Sequence, residues 1–181
     1  MPIIAILDDQ FTNRQIFARL AAAIAPDVDV VAFADPLEAL EGLSRRMADL
    51  VISDYKMPNM NGAEFVKQFR TLPGAADVPV VVLTVYEERA LRIHALECGA
   101  TDFLQSPVDH HEFVTRGRNL LQLRRQQLQL AERARSLAAD LDHSERSRAE
   151  ALRESRDRLA QIIDGLPAMV RCVGQIGRAH V

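Results

Sequence analysis

Tryptophan is missing from the 181 residues, and aromatic side chains make up only 5% of them. A surface that reads nucleic acid by stacking bases needs aromatic faces, so their scarcity argues against one. Cysteine is nearly absent as well: Cys98 and Cys172 lack metal-ligand spacing and read as reduced, unpaired thiols, as expected of a cytoplasmic chain. No stretch approaches the ~18 apolar residues of a membrane span. No secretory signal is expected, because Met1-Pro2 leads straight into a strand-length apolar run and two acids. Concentrated basic charge is also lacking. The net charge is -3. Residues 1–108 carry 9 Lys/Arg against 15 Asp/Glu, and residues 109–181 carry 13 against 10, interspersed in sign. The doublet Arg124-Arg125 is too short for a DNA-binding block, so neither a membrane nor a nucleic acid is an expected partner.

What is present begins with carboxylates at the ends of hydrophobic runs. Asp8 and Asp9 follow Ile3–Leu7, and Asp54 follows Leu50–Ser53. Buried carboxylate is costly, unless the strand ends open onto a shared crevice. In open parallel α/β sheets that crevice, at the carboxyl ends of the strands, is where ligands bind. Carboxylates held together repel, and a hard, oxygen-seeking cation such as Mg2+ relieves them. The residues therefore point to a metal-assisted phosphoryl or carboxylate site.

Further strand-like runs at Val28–Phe33, Pro79–Thr84 and Thr101–Leu104 alternate with helical segments. The first helix is expected near Thr12-Asn13, with Ile16, Phe17, Leu20 and Ile24 inward. The second is expected at Asp35-Pro36, a cap followed by proline at the first helical position. The third follows Gly62, with Phe65, Val66 and Phe69 inward. The fourth spans Glu87 to Cys98 and ends at Gly99. Five alternations predict an α/β fold: a five-stranded, parallel, doubly wound sheet with five helices.

After Asp109 the composition changes. From about Phe113 to Ile163 there is no proline and only Gly117 interrupts. A helix of ~50 residues would extend roughly 75 Å. Leu123, Leu130 and Leu137 recur every seven residues, with Leu120, Gln127, Ala134 and Leu141 on companion positions. Ser144 and Arg148 break the seam. Leu152, Leu159 and Leu166 resume it displaced by four, a stutter that locally unwinds a coiled coil. A dimeric coiled coil is favoured over one helix packed on its own domain.

The acids and their surroundings resemble the receiver domain of two-component response regulators, over about Pro2 to Leu123. Asp54-Tyr55-Lys56-Met57-Pro58-Asn59-Met60-Asn61-Gly62 is similar to the family's D-x-x-M-P-x-M-x-G. The resemblance implies that Asp54 accepts a phosphoryl group from a histidine kinase or phosphotransfer protein. It implies that Asp8, Asp9 and Asp54 hold Mg2+. Thr84 matches the hydroxyl residue that contacts the phosphoryl group, and Phe103 the aromatic switch that turns as the hydroxyl shifts. Ser106 departs from the pattern, occupying the usual lysine position before Pro107. A hydroxyl remains, but the positive charge and reach are lost. Lys56 faces the rim and is no obvious substitute. His94, His110, His111 and His143 show no metal spacing with these acids, and Met57 and Met60 read as loop packing.

Arg158–Val170 resembles the entry to a PAS sensory domain, where a helix ends at L-P-x-x-V. The expected organisation is a receiver at 1–123, a signalling helix at 124–166, and a truncated PAS-like start or disordered tail at 167–181. The expected function is a receiver that relays phosphorylation of Asp54 through a homodimeric helix to a C-terminal output. The homodimer would use the long helix, with the face of fourth helix, fifth strand and fifth helix as a second candidate surface. Turnover is limited to slow self-dephosphorylation. The alternative is a phosphorylation-independent dimerisation module. A Mg2+-dependent phosphatase is disfavoured, since Lys56 stands where its second acid would be.

Overall fold

A computed structural model describes residues 1–85 and 89–165. Expectations for Glu87, Leu166, Pro167 and Cys172, and for the PAS-like entry from Leu166 on, lie outside the described residues. The chain divides into two compact units, Met1–Leu128 and Gln129–Val181.

Five strands, β1 (Ile3–Leu7), β2 (Asp29–Phe33), β3 (Leu50–Asp54), β4 (Val80–Val85) and β5 (Asp102–Ser106), form one sheet in the order β2-β1-β3-β4-β5. Every neighbouring pair is parallel. All five β1 residues and the first four of β3 are buried, as expected of strands covered on both faces. Helices α1 (Phe11–Ala22), α2 (Pro36–Arg45), α3 (Gly62–Phe69), α4 (Arg89–Glu97) and α5 (His110–Gly165) alternate with them. This is the doubly wound parallel sheet that the alternation predicts and the flavodoxin-like fold that the resemblance to receiver domains implies. Its order reverses between β1 and β3, so the crevice opens where Asp8, Asp9 and Asp54 lie.

Local chemistry sets the helix starts. Asp35 caps α2, its Oδ1 accepting from the Leu37 and Glu38 amides, with Pro36 at the first position. Asn61 and Glu64 form a reciprocal capping box on α3. Gly99, at φ +101°, follows the C-terminal turn after α4. One expected face is corrected: Ile16 of α1 is 41% exposed, while the buried stripe is Phe17, Ala21 and Ile24. Ile16 lies one residue off that i, i+4, i+7 stripe.

Two cores flank the sheet. Phe65, Val66, Phe69, Ala39, Leu43 and Ala95 from α2, α3 and α4 fill one. Phe17 and Phe113, with rings stacked 5.6 Å apart, help fill the other between α1 and α5. Met57 and Met60 pack against the first core. Gly117 does more than interrupt a helix. A Cβ there would meet Ile24 Cδ1 at 2.5 Å, so the missing side chain lets α5 seat against the sheet. Phe113, Leu121 and Arg124 of α5 are buried, whereas every described side chain of the second unit is exposed.

Candidate functional site

The carboxyl ends of four strands build the site. Asp8 and Asp9 leave β1, Asp54 ends β3, Thr84 lies near the end of β4, and Ser106 ends β5. Register sets the neighbours: Leu7 opposes Ser53, Asp54 opposes Leu83, and Thr84 opposes Gln105. The backbone carries Asp8, Asp9, Asp54 and Thr84 to one end of the sheet.

Asp8 is buried. Its Oδ1 accepts from the Gln10 amide at 2.8 Å, while Oδ2 has no partner. Burial pushes its carboxyl up, and the neighbouring Asp9 adds to this. Burial also raises Asp54, to about 6, with the charges of Asp8 and Asp9 adding and the Tyr55 and Lys56 backbone amides opposing. Asp9 Oδ1 and Thr84 Oγ1 are likewise buried without partners among the described residues. Oxygens that find no protein donor, in a cluster whose members repel ionisation, suit a cation and an incoming oxyanion.

The donor set fits Mg2+. Asp8, Asp9 and Asp54 offer hard oxygens only. Among the described residues no group of three or more His, Cys, Asp or Glu side chains is drawn together closely enough to hold a metal ion by itself. Mg2+ does not require one, since it keeps several waters and takes one or two carboxylates plus phosphate oxygens.

Supporting contacts were not legible in the sequence. Arg14 Nη1 donates to the backbone carbonyls of Asp8 (2.8 Å) and Asp9 (3.2 Å), fixing the acidic turn from α1. Gly62 presses α3 onto β3: its amide donates to Tyr55 O at 2.8 Å, and a Cβ would lie 2.5 Å from Asp54 O. Asn59 adopts φ +67°, a left-handed conformation Asn tolerates. Tyr55 Oη lies 3.2 Å from His94 Nδ1, joining the residue after Asp54 to α4. Phe103 is half-buried on β5, with the Arg92 guanidinium 5.2 Å from its ring centroid. Ser106 is half-buried and precedes a cis bond to Pro107. His110 and His111 are exposed.

The family model described as the response regulator receiver domain matches residues 4–118. The cyclic di-GMP phosphodiesterase response regulator RpfG of Xanthomonas campestris pv. campestris (strain 8004) is 39% identical over 161 residues, 89% of this chain and 43% of RpfG. The chain thus spans less than half of that curated relative. The crystal structure of a putative response regulator from Chloroflexus aurantiacus superposes with a TM-score of 0.62 at 27% identity, covering 67% of this chain and 98% of that one. The receiver domain of the sensor histidine kinase PA1611 from Pseudomonas aeruginosa PAO1, solved with a magnesium ion in its active-site cleft, shares the fold (TM-score 0.60, 20% identity, covering 66% and 97%). No helix of the described residues is long and apolar enough to cross a membrane. With its sheet order, its acid-bearing strand ends and the family match in agreement, this chain belongs to the response regulator receiver family of two-component signalling.

Proposed function

We propose that Asp54 accepts a phosphoryl group from a histidine kinase or phosphotransfer protein, and that the event is relayed through a homodimeric coiled coil formed by α5. The carrying observation is the set of buried oxygens on Asp8, Asp9 and Thr84 without a partner among the described residues, around a carboxyl raised by burial and by its acidic neighbours.

Mg2+ held by Asp8, Asp9 and Asp54 would neutralise charge on the transferring oxygens. The Asp54 carboxylate attacks phosphorus. As the O–P bond forms, the P–N bond to the donor imidazole breaks, and the imidazole leaves with the electron pair. The product is an acyl phosphate with roughly -1.5 to -2 charge near neutral pH. Thr84 Oγ1 donates to a phosphoryl oxygen and moves inward. Phe103 turns into the space released and gives up its contact with Arg92. Ser106 contributes a hydroxyl and no charge, so this site is less compensated than its relatives, and the adduct forms more slowly or decays sooner. The receiver is a phosphoacceptor with slow self-dephosphorylation and no other catalysis.

The face of α4, β5 and α5 would change with Phe103 and lead into the helix. Leu130, Leu137, Leu141, Leu152 and Leu159 are all more than half exposed, which supports a self-pairing seam. The likeness to RpfG spans 161 residues, more than the receiver match alone, and supports a receiver-plus-helix unit feeding an output. Within this proposal residues 1–123 are the receiver, 124–166 the signalling helix, and 167–181 a PAS-like start or tail, in a cytoplasmic protein. Ser106 favours a second reading, a receiver that dimerises regardless of phosphate.

Incubation with Mg2+ and acetyl phosphate, read by intact mass, tests the chemistry. A phosphoryl adduct in the parent, absent from Asp54→Asn and longer-lived in Ser106→Lys, is expected. No adduct in the parent but one in Ser106→Lys would transfer the function to the second reading.

A further inference from the structure

Four buried side-chain polar atoms lack a partner among the described residues. Three belong to the site above, and the fourth is Arg124 Nε. Arg124 lies on the buried stripe of α5 at 9% exposure, and no carboxylate pairs with it among the described residues. Its Nε–H is cut off from water without an acceptor among the described residues, and a buried donor left unpaired is costly. The arrangement makes sense if an anion occupies the space it lines.

That space is a cavity of about 190 Å³ lined by Arg70, Asp77, Val78, Thr101, Arg124 and Gln127, among others. It sits at the amino-terminal ends of β4 and β5, opposite the phosphoryl site. Arg70 brings a second positive charge and is held rigidly. Its Nε and Nη2 donate to Gly99 O at 3.0 and 2.8 Å, and its Nη1 donates to Ala75 O and Val78 O, both at 2.6 Å. Thr101 Oγ1 accepts from the Val80 amide at 3.0 Å, which leaves its own proton to donate. Two arginines, a hydroxyl and an amide against one exposed carboxylate, Asp77, form a basic pocket. The volume is below that of drug-sized ligand sites, roughly 300 Å³ and up.

We propose that this cavity binds a small oxyanion, phosphate or carboxylate, with Arg124 as the principal ligand and Arg70 and Thr101 in support. The strands that begin at the cavity carry Thr84 next to the end of β4 and Ser106 at the end of β5. An anion there would pin the loops before β4 and β5 to α5 at the last buried residue of that helix. It would therefore bias the path by which Phe103 and α4 report on Asp54.

The test uses the whole 181-residue chain in EDTA at fixed ionic strength, in the parent, Asp54→Asn, Arg124→Met and Arg124→Lys. Inorganic phosphate and malonate are titrated by calorimetry and thermal shift, the two anions separating phosphoryl from carboxylate preference. The parent and Asp54→Asn should bind one of them with a dissociation constant near or below ~1 mM. Arg124→Met should fold and lose at least ~tenfold in affinity, with Arg124→Lys between, because lysine keeps charge without the planar fork. Equal binding in Arg124→Met, or no binding to either anion at ~10 mM, overturns the proposal. So does an anion-independent parent whose oligomeric mass changes on Arg124→Met, which would assign the cavity to a side chain of a second copy.

Discussion

One helix, α5, leads two different lives. Up to Arg124 its inward stripe is set into the receiver: Phe113 stacks on Phe17, Gly117 touches Ile24, and Leu121 is 2% exposed. Past Leu128 the same kind of leucine is open, with Leu130 and Leu137 each 64% exposed. Composition alone does not separate the two stretches, since both are rich in Leu and Arg. What separates them is period and context. The first stretch follows the wide apolar stripe of a helix on a sheet, while the second carries a narrow seven-residue leucine repeat of the kind coiled coils use, broken at Ser144 and Arg148. Apolar surface on the second stretch is therefore available for pairing, and apolar surface on the first is committed to folding.

Substitutions should fall sharply to one side or the other. The largest effect is chemical: Asp54→Asn should abolish the phosphoryl adduct while leaving the fold and the helix intact, as read by intact mass and circular dichroism. Next is stability. Leu121→Ala should cost ~2–5 kcal/mol in denaturant unfolding, as buried leucines do. The double variant Leu130→Lys/Leu137→Lys should leave receiver stability within ~0.5 kcal/mol and instead halve the mass seen by sedimentation. If the pair destabilises the receiver as Leu121→Ala does, the comparison between the two stretches fails. Gly62→Ala should cost ~2–4 kcal/mol, because its Cβ would meet the Asp54 carbonyl and neither backbone can yield without moving the site.

The smallest effect depends on pH. Asp54 is raised in the folded state, so its contribution is fully favourable below the unfolded value of 3.8 and is lost as pH rises through about 6. In EDTA, Asp54→Asn should therefore be more stable than the parent by ~1–2 kcal/mol above pH 7, after allowance for partial exposure of the carboxylate. The gain should vanish as pH falls toward 4, and Mg2+ should remove it at neutral pH by stabilising the parent. Chemical denaturation across pH checks this.

Much of the site was legible because its chemistry is local. Carboxylates at strand ends, the Asp35-Pro36 cap and Gly62 at a helix start each carry their reason within a few residues. On the inward face of α1, Phe17, Leu20 and Ile24 were legible and only Ile16 was wrongly included, because Ile16 and Phe17 are equally apolar and only the sheet decides between them. Arg14 gripping two carbonyls, the Tyr55–His94 link across 39 residues and the buried Arg124 were not legible. A guanidinium reads as solvated surface in a sequence, and its burial depends on elements brought together only by the fold. Ser106 was legible as a departure from the family, and its consequence depends on the charge balance around Asp54.

The central claim is that phosphorylation of Asp54 changes how two copies of α5 pair. The direct test is disulfide cross-linking from a single cysteine at Leu137, in chains with Cys98 and Cys172 replaced by serine, with and without the Asp54 adduct. A cross-linking yield that changes several-fold on phosphorylation, and does not change in Asp54→Asn, is the predicted result. An identical yield in all three states, with the adduct verified by mass, would contradict the account and leave a receiver whose helix pairs without regard to its phosphate.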